Sequence, residues 1–108
     1  MSFDAMAAAV DWLDAYRAGD VENILQMYAE DAVILCGCGG MKTITGSEGR
    51  RAYWVDRMVE YPASRLDNLQ QASEGALISY LARDGLVSAV LRFNAAGQIS
   101  AQTCGPSD

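Results

Sequence analysis

A chain of 108 residues is long enough to bury one core and too short for two, so a single domain over 1–108 with a single site is expected. Its 51% hydrophobic and 20% charged residues are those of a folded globular protein, and no apolar run approaches the roughly 18 residues of a membrane span. A net charge of -6 argues against nucleic acid as a partner, because the average field of the chain repels a polyanion.

The chain has no histidine and three cysteines, Cys36, Cys38 and Cys104. A CxC pair is too close for good bridge geometry and an odd set implies no disulfide framework. A structural zinc site needs four ligands, so no metal and no other cofactor is expected. In the first twenty residues Asp4, Asp11 and Asp14 interrupt the apolar positions at helical intervals, and no basic flank precedes them. That pattern predicts a folded helix rather than a leader, and with it a cytoplasmic location where thiols stay reduced.

In chain order, Phe3, Met6, Val10 and Leu13 recur at helical spacing, with Ala9, Trp12 and Tyr16 as a second apolar stripe, so the first helix is expected to bury two faces. Gly19 suits its C-terminal cap, and Asp20 suits the N-cap of a second helix with Glu22 in its first turn. Val21, Ile24, Leu25 and Tyr28 form that helix's inner face. The apolar run Ala32 to Cys36 predicts a strand covered on both sides. The glycines of CGCGG, residues 36–40, then break regular structure. Because Lys42 follows in a strand-like KTIT rather than at the head of a helix, a bulged hairpin is expected there and not a phosphate loop.

Ser47 and Glu48 begin a third helix that Pro62 stops after Tyr61, with Trp54, Val55 and Met58 as its inner stripe and Tyr53 at the edge. Residues 64–74 are polar and read as a loop and an edge strand. Ala76 to Arg83 pairs with Leu86 to Phe93 across Asp84-Gly85, and residues 94–97 reverse the chain before a last strand from Ile99 to Cys104. Helices followed by a meander of strands make the class α+β.

Three stretches carry a family likeness. YRAGDVENILQMYAEDAV resembles the opening of the nuclear-transport-factor-2-like superfamily, GSEGRRAYW the start of its third helix, and RFNAAGQI the hairpin before its last strand. Within that superfamily the pattern is similar to the SnoaL-like polyketide cyclases and the ketosteroid isomerases. The resemblance implies a cone of curved antiparallel sheet closed by three N-terminal helices, of the cystatin-like kind. It also implies an apolar pocket at the open end and a homodimer through the outer face of the sheet.

Residue by residue, the resemblance to the isomerases removes their chemistry. Trp12 stands at the phenolic donor, Cys36 at the general base and Ala89 at the protonated acid, while two supporting tyrosines fall at Tyr28 and Trp54. Abstracting a proton beside a carbonyl needs a base in reach and donors aimed at the developing oxyanion. An indole donates but exchanges no proton, and alanine does neither. None of the fourteen carboxylates falls in an expected core strand, which sets the chain apart from the aspartate-dependent cyclases and epoxide hydrolases. Cys36, with no histidine and no evident cation near it in sequence, reads first as a small buried hydrophobe and second as a nucleophile.

If Ala89 faces inward, so do Leu91 and Phe93, while Ser88, Val90 and Arg92 face outward; on the last strand Ser100, Gln102 and Cys104 turn inward. The implied pocket comprises Trp12, Tyr16, Tyr28, Cys36, Tyr53, Trp54, Met58, Ala89, Leu91, Phe93, Gln102 and Cys104, with Tyr16 and Gln102 as its polar contacts. It suits a small apolar or aromatic ligand. Three functions stay open: a binding domain without acid-base residues, an isomerase, cyclase or hydratase with a non-standard base, and a dimeric interaction module whose cone is filled.

Overall fold

A computed structural model describes residues 3–37, 41–83 and 85–106. Two helices, α1 (Ala5–Ala18) and α2 (Val21–Gln26), precede strands β1 (Tyr28–Cys36) and β2 (Lys42–Thr45). The third helix, α3 (Ser47–Glu60), leads into β3 (Arg65–Ala72), β4 (Gly75–Ala82), β5 (Gly85–Phe93) and β6 (Ile99–Pro106).

Local chemistry explains the helical half. The Asp4 carboxylate accepts from the amides of Met6 and Ala7 and starts the alanine-rich α1. Gly19, at φ 69°, ends it: its amide bonds to the Tyr16 carbonyl and that of Asp20 to the Ala15 carbonyl. The Asp20 side chain then caps α2 through the Asn23 amide. Of the two stripes expected on α1, that of Ala9, Trp12 and Tyr16 is buried, and from the other only Leu13 is. Phe3 is 51% exposed and stacks on Phe93 with ring centroids 4.9 Å apart, and Met6 is exposed as well. The helix lies on one sheet, and a single sheet covers a single stripe.

The six strands form one sheet in the order β2-β1-β6-β5-β4-β3. It is mixed rather than wholly antiparallel as expected, because β1 and β6 run parallel, pairing Cys36 with Cys104 and Ile34 with Gln102. The α+β class holds, though only α1 and α2 precede the sheet and α3 is inserted between β2 and β3. β1 starts at Tyr28, four residues before the expected Ala32, so Tyr28 belongs to the strand and not to the face of α2. Nor is β1 covered on both sides: Ala32, Ile34 and Cys36 are buried while Leu35 is 38% exposed. Its outer side chains face away from the helices, which lie on one side of the sheet.

The hairpins fall where turn chemistry put them. β1 and β2 pair as an antiparallel hairpin around CGCGG, of which residues 38–40, including Cys38, lie outside the described residues. β4 and β5 pair from Gly75 opposite Arg92 to Ala82 opposite Gly85, so Gly85, expected in the turn, opens β5 instead and the register differs from the expected one by two residues; Asp84 lies outside the described residues. A side chain could not replace Gly75, since a Cβ there would sit 1.7 Å from the Leu91 carbonyl oxygen. On β5, Val87, Ala89 and Leu91 are buried, as alternation requires. A register shift between Arg92 and Phe93, where Ser100 is the extra residue of β6, turns Ile99 inward in place of Ser100, whose hydroxyl bonds the Arg92 carbonyl instead, while Gln102 and Cys104 face the core. Among the described residues no helix is long and apolar enough to cross a membrane.

Candidate functional site

The buried face of α3 consists of Arg50, Trp54 and Arg57, spaced to share one side of the helix. Val55, expected on the inner stripe, is 46% exposed, and Met58 is half-buried. A helical stripe bounded by two arginines reads as polar in any hydrophobic pattern, which is why the true inner face escaped detection. Arg50 is 4% exposed and donates through Nη1 to the Ala32 carbonyl and through Nη2 to that of Glu30, both at 3.2 Å. That stretch of β1 coincides with a register shift between Tyr28 and Val33, and Arg50 serves carbonyls there.

Arg57 is 3% exposed and sits two turns farther along, among aromatic side chains. Its Nη2 donates to the Tyr80 hydroxyl at 3.1 Å and its Nη1 to the Cys36 sulfur at 3.5 Å. The guanidinium carbon lies 5.4 to 5.8 Å from the ring centres of Tyr16, Tyr53 and Tyr61. The cation that sequence did not place near Cys36 is therefore Arg57. Trp12, Tyr16, Trp54 and Tyr80 pack edge to face below it, their centroids 4.9 to 5.8 Å apart.

Polar atoms thread this aromatic core. Trp12 Nε1 donates to the Tyr28 hydroxyl at 3.1 Å, and that hydroxyl donates to Gln102 Oε1. The Gln102 amide nitrogen lies 3.7 Å from the Cys104 sulfur, which also contacts the Tyr53 hydroxyl at 3.5 Å. Tyr16 donates to the carbonyl of Tyr61, the residue that ends α3, and so ties α1 to α3. Burial pushes the Tyr16 hydroxyl up to about 12, against the pull of Arg57, and holds those of Tyr28, Tyr53 and Tyr80 above the ordinary phenol range. Burial opposes the charge on Arg57, but Tyr80, Tyr53, Tyr16 and Cys104 outweigh it, and the guanidinium stays protonated throughout the accessible range.

Beside this cluster, between α3 and the β1–β2 hairpin, lies a cleft of about 370 Å³. Cys36, Tyr53, Arg57 and Tyr61 border it on the core side, Ile44, Gly49 and Ala52 on its flanks, and the exposed Lys42, Asp56 and Glu60 at its rim. Of the twelve residues expected around the pocket, Cys36 and Tyr53 line this cleft. Trp12, Tyr16, Tyr28, Trp54, Ala89, Leu91, Gln102 and Cys104 lie in the buried core behind it, and Met58 packs half-buried against that core. Phe93 stands apart, on a shallow cleft of about 140 Å³ with Ala8, Met27 and Ile99. Cys36 pairs with Cys104 at one end of the β1–β6 ladder, whereas Phe93 meets Ile99, the partner of Tyr28, at the other.

Among the described residues, no three histidine, cysteine, aspartate or glutamate side chains gather as metal ligands. Glu30 and Asp31, which the longer β1 includes, are exposed on it. Chemically, the cleft offers a buried cation, a thiol, phenolic hydroxyls and apolar walls.

No family model and no curated protein matches the sequence. Among solved structures that share its architecture is a SnoaL-like protein of unknown function from Burkholderia thailandensis, with a TM-score of 0.82. It is 21% identical, and the match covers 96% of this chain and 95% of that one. The chain therefore has the SnoaL-like fold.

Proposed function

We propose that this SnoaL-like domain binds a small aromatic or otherwise flat apolar molecule, and that it does so in the cleft between α3 and the β1–β2 hairpin. The observation that carries the reading is the cleft itself. About 370 Å³ lies within the range of roughly 300 to 1,000 Å³ usual for small-molecule sites, and apolar walls meet a few fixed polar groups there. The acid-base positions of the isomerases hold Trp12, Cys36 and Ala89, which favours binding over proton abstraction. A library of aromatic fragments titrated into the labelled chain should move the backbone amide resonances of Cys36, Ile44, Ala52 and Tyr53. Ala52→Trp, which fills the cleft from its flank, should abolish those shifts. Fragments that bind only elsewhere, or none that bind, would overturn the reading.

A second reading draws on the 3.5 Å contact between Arg57 Nη1 and the Cys36 sulfur. A guanidinium beside a sulfur favours the thiolate, the nucleophilic form, so an enzyme that works through Cys36 is the alternative. Thiol labelling at graded pH separates the two: reaction of Cys36 only above about pH 8 leaves it a buried hydrophobe.

In the same proposal two copies meet through the outer face of the sheet, where Val33, Leu35, Leu77, Leu81 and Val90 alternate with the core residues. Sedimentation equilibrium tests this, and a monomer at all concentrations sinks it. The interaction module is the reading that gains if fragments fail and the dimer forms.

A further inference from the structure

We infer that the cleft is built for an organic monoanion, a carboxylate on an aromatic or alicyclic ring, with the carboxylate received by Arg57. The inference rests on the small-molecule reading above and adds the charge of the ligand.

Three observations converge on it. The first is position: the guanidinium lines the cleft from its buried side, at 3% exposure, while Ile44, Ala52, Tyr53 and Tyr61 supply flat or apolar walls around the same space. A ligand whose ring lies on those walls brings a substituent to the arginine. The second is the company Arg57 keeps. The Tyr80 hydroxyl that accepts from it and the Tyr16 and Tyr53 rings beside it belong to phenols that burial keeps protonated at neutral pH. Arg57 Nη1 donates to the Cys36 sulfur on the same wall, and in a site of low dielectric a carboxylate gains far more from a guanidinium so held than from an exposed lysine. A planar fork also receives a carboxylate through two parallel hydrogen bonds, which an ammonium does not do.

The third observation is the rim. Asp56 and Glu60 stand exposed at the mouth, with Lys42 across from them, on a chain whose net charge is -6. A second negative charge, projecting outward once the first is seated, would face those carboxylates. The rim thus selects one charge over two.

The probes are benzoate, its neutral isostere benzamide, and the dianion terephthalate, each titrated into the native chain. Backbone amide resonances of Ala52, Tyr53 and Arg57 give the site, and the side-chain Nε resonance of Arg57 reports on its charge partner. Benzoate should bind about tenfold more tightly than benzamide, the scale of one charge-assisted pair, and terephthalate no more tightly than benzoate. Arg57→Gln should erase the preference for benzoate, and Arg57→Lys should restore part of it. Lys42→Gln, which tests the rim cation, should change the benzoate to benzamide ratio less than about threefold. Should an Arg57 variant fail to fold, the ratio measured on the native chain still decides. Benzamide binding at the same residues as tightly as benzoate overturns the assignment of charge and leaves the cleft as a binding site. If no probe shifts these residues, both fall together.

Discussion

Arg50 and Arg57 lie seven residues apart on one face of one helix, are buried to nearly the same extent, and meet opposite surroundings. Arg50 ends on two backbone carbonyls of β1 and completes hydrogen bonds that the fold needs. Arg57 ends among phenols and thiols at the wall of a cleft. A buried cation given over to backbone groups is part of the scaffold; the one held among rings beside an open volume is the one proposed above to receive a ligand. The contrast sets a scaffold role and a proposed binding role within four turns of one helix.

The sharpest way to break the comparison is to truncate both. Arg50→Met removes the donors of two β1 carbonyls, of which that of Ala32 is buried, and unfolding in urea should show a loss of about 3 kcal/mol. A loss below about 1 kcal/mol would mean that Arg50 is as dispensable as a surface charge.

The phenol-rich end answers to pH. The Tyr16 hydroxyl ionises near 10 in the unfolded chain and only near about 12 in the folded one. Between those values the unfolded chain has released a proton that the folded chain still holds. Stability is thus complete below pH 10 and falls as pH rises toward 12, by on the order of 2 kcal/mol for this residue. Tyr16→Phe should flatten that slope, and tyrosinate absorbance measured alongside urea unfolding checks it. A stability that holds level through the window would place Tyr16 in water.

A smaller effect is expected for Arg57→Met. The side chain gives up a buried charge and gains apolar packing against Tyr16, Tyr53 and Tyr61, so stability should stay within about 1 kcal/mol of the native chain, in either direction. A loss equal to that of Arg50→Met would make both arginines structural and remove the distinction. The smallest effect belongs to Arg51, on the outer side of the same helix, whose fork meets the Glu22 carboxylate in full solvent. Arg51→Gln should leave the urea midpoint unchanged within error.

What was legible in the sequence follows the reach of each signal. Caps and turns act within a few residues, and so Gly19-Asp20, the start of α3 at Ser47 and its stop before Pro62 were readable, as was the β4–β5 hairpin. Long-range pairing was not. Nothing local in Ala32 to Cys36 says that its neighbour is the last strand running parallel to it, and no residue near Ser100 announces a bulge. The resemblance to ketosteroid isomerases named Cys36, and the helical spacing of α3 put Tyr53 at its edge; both border the cleft, but Lys42, Ile44, Gly49 and Ala52 carry no signature of chemistry and went unmarked. Arg57 was missed because an arginine counts as solvent-facing by default. The spacing Arg50, Trp54, Arg57, with Val55 and Val59 left on the outside, was the available clue: the polar residues of α3 held the periodicity that the apolar ones lacked.

The indole of Trp12 can only donate, which gives direction to everything downstream of it. The Tyr28 hydrogen must point at the glutamine oxygen, the glutamine nitrogen must then point at the Cys104 sulfur, and Tyr53 reaches the same sulfur from the cleft wall. A molecule that displaces Tyr53 perturbs a line of oriented dipoles whose far end is a tryptophan with no contact to solvent. If the proposed ligand displaces Tyr53, a single indole proton resonance deep in the interior registers its arrival at the surface.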